Sequence, residues 1–166
     1  NDGTVAKAQS HIPGAEKRGW AMQVLDLEEG GKLRALNAGD ALARGRSRLY
    51  LDADIACDAS LVGQIREALS GEAPRYATGT LAIAPSKSFV TRHYASAWTR
   101  LPFVKGGAVG AGLYAVNPAG RARWGKFPQI ISDDTFVRLN FGPTERVEVP
   151  ARYHWPMVEG FSNLVR

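Results

Sequence analysis

Asp52 and Asp54 stand one residue apart at the end of an apolar run, "LYLDADIACD", residues 49 to 58. Two carboxylates spaced i, i+2 at a strand end can share one hard cation. Mg²⁺ and Mn²⁺ prefer oxygen ligands and take one or two carboxylates together with substrate phosphates. The same spacing also serves as a plain turn, and by itself it does not choose. A second acidic pair, Asp133 and Asp134, lies far downstream in "ISDDTFVRLNF". There the carboxylates open a helix, where the dipole stabilises negative charge whether or not there is chemistry to do.

The elements that must position these residues can be read from periodicity and punctuation. Asn1-Asp2-Gly3-Thr4 reads as a turn leading into a helix over 4 to 11, ended by Pro13-Gly14. "AMQVLDL" (21 to 27) reads as a short strand, and "KLRALNAGDALARG" (32 to 45) as a helix with a terminal glycine. "SRLYLDA" (47 to 53) is a strand, apolar on both faces at Leu49, Tyr50 and Leu51, as buried parallel strands are. Asp58 suits the N-cap of the next helix, in which Leu61, Val62, Ile65 and Leu69 fall on one face. "RYATGTLAIA" (75 to 84) is a strand and residues 87 to 100 a helix. "GGAVGAGLYAVN" (106 to 117) is a glycine-rich loop entering a strand. Ser132 caps the helix of the second acidic pair, and "RVEVPARYHW" is a late strand broken by Pro150. Strands alternating with helices predict an α/β domain with a largely parallel sheet. Ligands in such sheets sit beyond the carboxyl ends of the strands, where Asp52 and Asp54 fall.

The ordered set "NDGT", "GGKLRALNAGDALARG", the strand ending Asp-Ala-Asp and "ISDDTFVRLNF" resembles the family 2 glycosyltransferases. The match runs from Asn1 to about Phe141. It implies a GT-A-type, Rossmann-like, mostly parallel sheet flanked by helices. Residues 1 to 58 would form the nucleotide-sugar half of a single domain spanning 1 to 166, and 59 to 166 the acceptor and catalytic-base half. By resemblance, Asp2 pairs with the nucleotide base and Lys32 lies near the donor nucleotide. Asp52 faces the ribose and the metal shell, and Asp54 is the direct ligand of Mn²⁺ or Mg²⁺. Asp134 is the catalytic base, with Asp133 the acidic residue before it. The implied reaction is inverting transfer from a nucleotide-diphosphate sugar, a UDP-sugar, to a carbohydrate, lipid or other hydroxyl acceptor. A metal acts as Lewis acid on the diphosphate, and a carboxylate takes the acceptor's proton.

The pattern is incomplete. The family's first strand, the helix after it and the second strand have no counterpart, and no Q/R-x-x-R-W motif occurs up to Arg166. With Asn1 rather than Met at its start, the chain reads as a truncated fragment, itself inactive and poorly stable. Two other classes are compatible with Asp-x-Asp. One is a phosphohydrolase of the haloacid dehalogenase type, although Ala56 stands where that pattern wants Thr or Val. The other is a non-catalytic nucleotide-sugar-binding module.

Every singled-out residue also has a plainer reading. Asp2 is a turn former, Lys32 a solvated lysine at a helix start, and Asn37 a residue that packs or bonds within its helix. His154 could complete a metal shell, but packing beside Trp155 is the default. Trp98, Trp124 and Trp155 could stack on a sugar, with core packing again the default. The glycines of 106 to 112 serve either an acceptor site or a tight strand entry.

The totals bound these readings. The chain has 166 residues, 45% hydrophobic and 22% charged, enough for one domain with a real core. The net charge of +5 favours a phosphate-bearing ligand, an anionic membrane surface or nucleic acid. No dense Lys/Arg block points to a nucleic-acid tail. The single cysteine, Cys57, reads as a small buried residue in a reducing compartment. No apolar run approaches the ~18 residues of a membrane helix. The expected location is cytoplasmic, with room for association at the inner face of a membrane.

Overall fold

A computed structural model describes residues 3–158. The chain divides into two compact units, 1–44 with 126–130, and 45–125 with 131–166.

The first unit is helical. It holds α1 (Thr4–Gln9), α2 (Ile12–Glu16) and α3 (Lys32–Leu42). Pro13 occupies the first turn of α2, where its missing N–H costs nothing, so Pro13-Gly14 opens a helix rather than ending one. The expected strand over 21 to 27 is irregular chain that joins no sheet among the described residues. Its alternation is real, with Met22 and Val24 half-buried, but a strand needs a ladder to pair with. Asn37 does not bond within α3. Its Oδ1 accepts from Phe127 N (2.8 Å) and its Nδ2 donates to Phe127 O (3.3 Å), which ties α3 to the 126–130 segment.

The second unit is built on a five-stranded sheet in the order β1-β4-β3-β5-β2. The strands are β1 (Arg48–Leu51), β2 (Ala56–Cys57), β3 (Tyr76–Ile83), β4 (Leu113–Val116) and β5 (Arg146–Trp155). The helices are α4 (Leu61–Ala68), α5 (Phe89–Trp98), α6 (Pro102–Lys105), α7 (Pro118–Arg121) and α8 (Asp133–Leu139). The expectation of a mostly parallel, Rossmann-like sheet is overturned. Only β3 and β5 pair in parallel, while β1–β4, β3–β4 and β2–β5 are antiparallel. Alternating helices and strands predict a parallel sheet only if every helix is a crossover. Here α5, α6 and the glycine-rich 106–112 segment return the chain so that β4 runs against both its neighbours.

One face of the sheet packs on α4. Leu61, Ile65 and Leu69 sit at i, i+4, i+8 against Ala77, Leu113, Ala115, Val149, Ala151 and Tyr153. Val62 is not part of this stripe and is 58% exposed. Gly79 permits the close approach of helix and strand. A Cβ there would lie 2.6 Å from Leu61 Cδ1 and 2.8 Å from the Ala151 carbonyl. The other face carries aromatic rings, with Tyr50 stacked on Tyr114 (4.8 Å between centroids) and Tyr76 packed between Tyr114 and Phe141.

Pro150 bends β5 rather than breaking it. The register slips there, Gly79 pairing with Val149 but Thr80 with Arg152, so the proline sits in a bulge where no ladder donor is needed. β1 is an edge strand, and only Tyr50 of its apolar residues is buried. Leu49 and Leu51 are 39% and 50% exposed, contrary to the expectation of two buried faces.

Candidate functional site

Asp52 and Asp54 form the turn that leaves β1, with Ile55 N donating to Asp52 O (3.2 Å). The turn and the strand-end acidic pair are therefore the same feature. Asp52 N donates to Gly112 O (2.8 Å), which clips the turn to the start of β4. Gly112 has φ +70, and a Cβ there would meet Asp52 Oδ2 at 3.3 Å and Ile55 Cδ1 at 3.0 Å. Glycine serves twice here, for the left-handed backbone and for the space beside the carboxylate. Asp52 is half-buried and Asp54 exposed.

Asp58 does not cap α4. Its Oδ2 accepts from Arg152 N (2.8 Å) and its own N–H donates to Arg152 O (3.0 Å), so it anchors the turn to β5. Ser60 stands at the cap position instead. Cys57, expected to be buried, is exposed in the two-residue edge strand β2.

The second acidic pair opens α8, and its members have different surroundings. Asp133 is 3% exposed and accepts a hydrogen bond from the Tyr114 hydroxyl at 2.8 Å. Burial, then the Asp133 charge and the bond to it, push the Tyr114 phenol far above its usual range, so it stays protonated and donates. Asp134 is half-buried. Its Oδ1 accepts from Ser132 Oγ and from Thr135 N (2.6 Å). Ser132 thus sits at the helix cap position without capping the backbone, and holds the Asp134 carboxylate instead.

Between the two acidic motifs runs the glycine-rich segment 106–112, gripped from both sides. Ala108 has φ 48, a left-handed conformation that costs a non-glycine residue roughly 1–2 kcal/mol. Its N–H donates to Glu148 Oε2 (2.7 Å), and its carbonyl accepts from Arg138 Nε (3.0 Å). Arg138 also reaches Gly107 O (3.3 Å) and Phe103 O (3.4 Å). A strained residue held this firmly is the kind of feature found at functional loops.

A cleft of about 450 Å³ lies against this segment. It is lined by Val109, Ala111, Asp134, Arg138 and the aromatic wall of Trp98, Phe103 and Trp155. Trp98 and Trp155 are 5.1 Å apart, and Trp98 meets Phe103 edge-on at 5.6 Å. A larger hollow, about 820 Å³, lies beside Arg46, Ser47 and Pro118. Those residues lie before β1 and after β4, at the end of the sheet opposite Asp52, and no aromatic ring lines that hollow. The chemistry favours the smaller cleft.

The remaining expected residues are placed as follows. Trp124 is buried, with the Arg121 guanidinium 4.6 Å over its ring, and serves packing. His154 is half-buried in β5, opposite Ala56. Lys32 is exposed at the start of α3 and belongs to the first unit. Asp2 lies outside the described residues. Among the described residues no group of three His, Cys, Asp or Glu side chains converges as a metal cage. An all-carboxylate pair with an exposed member still fits Mg²⁺ or Mn²⁺, which complete their shells with water and substrate phosphates. It does not fit a closed structural site such as zinc's.

Sequence reasoning missed Arg138 and Tyr114. Arg138 stands four residues after Asp134, on the same helix face, and that spacing could have flagged it. Tyr114 left no signal, because its role depends on α8 packing over β4 so that Asp133 meets its hydroxyl. The chain matches no known protein family and no curated protein. No helix among the described residues is long and apolar enough to cross a membrane.

Proposed function

We propose that this chain performs inverting transfer of a sugar from a nucleotide-diphosphate sugar, a UDP-sugar, to an acceptor hydroxyl, as the family 2 glycosyltransferases it resembles do. The observation that supports this most is that the two acidic motifs, distant in sequence, flank one glycine-rich segment. Asp52 lies against Gly112, and Asp134 shares the cleft with Val109 and Ala111.

In this reading Asp54, with Asp52, holds a divalent ion, which when bound supplies positive charge to the diphosphate leaving group. By the resemblance alone, Asp2 is assigned to the nucleotide base and Lys32 to the donor nucleotide. The acceptor enters the cleft against the Trp98–Trp155 wall, where an aromatic face covers the apolar face of a sugar or a lipid-linked group. Asp134 takes the proton from the attacking hydroxyl. Its Oδ1 is occupied by Ser132 and Thr135, which orients the carboxylate and leaves Oδ2 for the proton. Asp133 does not compete for that role. Bonded to Tyr114 and buried, it positions the helix start. The setting is cytoplasmic, where such donors are made.

Calorimetric titration with UDP and Mn²⁺, paired with product analysis, tests the reading. Asp54→Ala abolishes metal-dependent UDP binding. Asp134→Asn keeps UDP affinity and slows transfer at least ~100-fold, in the range of a lost general base. UDP affinity unchanged in Asp54→Ala refutes the metal assignment, and a wild-type rate in Asp134→Asn refutes the base.

A further inference from the structure

The charge of this chain is unevenly spread. Between Glu72 and Asp133 there is no carboxylate side chain, while residues 87 to 105 carry Lys87, Arg92, Arg100 and Lys105. All four are exposed. This stretch is α5, the turn after it and α6. Its inner face is set by Thr91, buried and donating to Val158 O (3.2 Å), with Ala95 and Trp98 half-buried on the same side.

The outer face is unusually apolar for one so basic. Phe89 is 65% exposed, Tyr94 49%, Val90 40%, Leu101 41% and Phe103 45%. The His93 ring packs against Phe89 at 4.0 Å, tilted by 41°, and the Arg92 guanidinium lies 6.0 Å from the same Phe89 ring. Large apolar side chains rimmed by cations mark an interaction surface rather than chance exposure.

We propose that the α5–α6 face docks on an anionic phospholipid surface. The charge is complementary to such a surface, with no carboxylate in the segment to oppose it. The side chains suit an interface, where Phe and Tyr enter the headgroup–acyl boundary and Lys and Arg meet the lipid phosphates. Val90 and Leu101 are what separate this partner from nucleic acid: a phosphate backbone offers hydrocarbon side chains nothing, and protein–nucleic acid interfaces are more polar. α5 is about 15 Å long by helical rise, a patch suited to reversible adsorption. The proposal does not depend on glycosyl transfer. It does have a consequence for the cleft, since Phe103 belongs both to this face and to the cleft wall. A bilayer meeting α5–α6 also meets the cleft's edge.

Vesicle flotation tests it, with vesicles of pure phosphatidylcholine and vesicles containing about one third phosphatidylglycerol. The protein floats with the anionic vesicles at low salt, at least ~10-fold more than with neutral ones, and is released at high salt. Phe89→Ser with Tyr94→Ser, and separately Lys87→Glu with Arg100→Glu, each reduce binding at least ~10-fold while the thermal transition is kept. Lys7→Glu with Lys17→Glu makes the same change in net charge on the first unit and leaves binding within ~2-fold. Absence of flotation with anionic vesicles overturns the proposal. So does equal loss in the Lys7/Lys17 control, which would mean that overall charge suffices. Tighter binding to a single-stranded RNA than to vesicles, indifferent to Phe89→Ser, overturns it in favour of nucleic acid.

Discussion

The bond from Tyr114 to Asp133 joins the sheet to the helix that presents Asp134, and its removal can be reasoned through. Tyr114→Phe deletes one oxygen from a ring that remains stacked on Tyr50 and packed beside Tyr76. The apolar burial is unchanged, so the loss is that of the hydrogen bond. The acceptor is a carboxylate, and the bond is short at 2.8 Å and buried. Hydrogen bonds to charged groups contribute about 1.5–3 kcal/mol. For a chain of this size that lowers the melting temperature by about 3 to 12 °C. Tyr76→Phe is the internal control: its hydroxyl donates to Val109 O at 3.4 Å, a long bond between neutral groups, and should cost less than about 1 kcal/mol. Urea unfolding of Tyr114→Phe, Asp133→Asn and the double variant measures the coupling directly, expected at about 1 kcal/mol or more. If the coupling is below about 0.5 kcal/mol, or if Tyr76→Phe costs as much as Tyr114→Phe, the bond does not hold α8 to the sheet and the division of labour between Asp133 and Asp134 fails with it.

Two further outcomes follow from packing and charge. Gly79→Ala drives a methyl into Leu61 and, less forgivingly, into the Ala151 carbonyl of the β5 bulge, and should cost about 1–3 kcal/mol in urea unfolding. A cost near zero would mean that α4 is not seated closely on β3. The paired bonds from Arg123, then the Gly142 N–H, hold the Glu145 carboxyl down at about 2. Its folded pKa is below its unfolded one of about 4.3, so its contribution is present above that value and is lost as pH falls toward 2. The stability difference between wild type and Glu145→Gln should therefore shrink across that window, and a constant difference would refute the pairing.

The sequence by itself determined most of the local elements. The helix at Lys32, the strand running up to Asp52, the buried stripe of α4 and the helix start at Ser132 all follow from spacing and punctuation, which act over a few residues. It also determined that the two acidic motifs lie at element ends. Tertiary structure decided what depends on partners distant in sequence. The 21 to 27 segment has the alternation of a strand but finds no ladder. Asp58 has the chemistry of a cap but bonds to Arg152. Asn37 reaches Phe127 rather than its own helix. The sheet's direction was decided in the same way: periodicity reports which face a strand buries but not which way its neighbour runs. That direction came from the glycine-rich return between α6 and β4. Two left-handed residues of this return, Gly107 and Ala108, are held by Glu148 and Arg138, from elements that follow it in the chain, and no short window along the sequence contains them all.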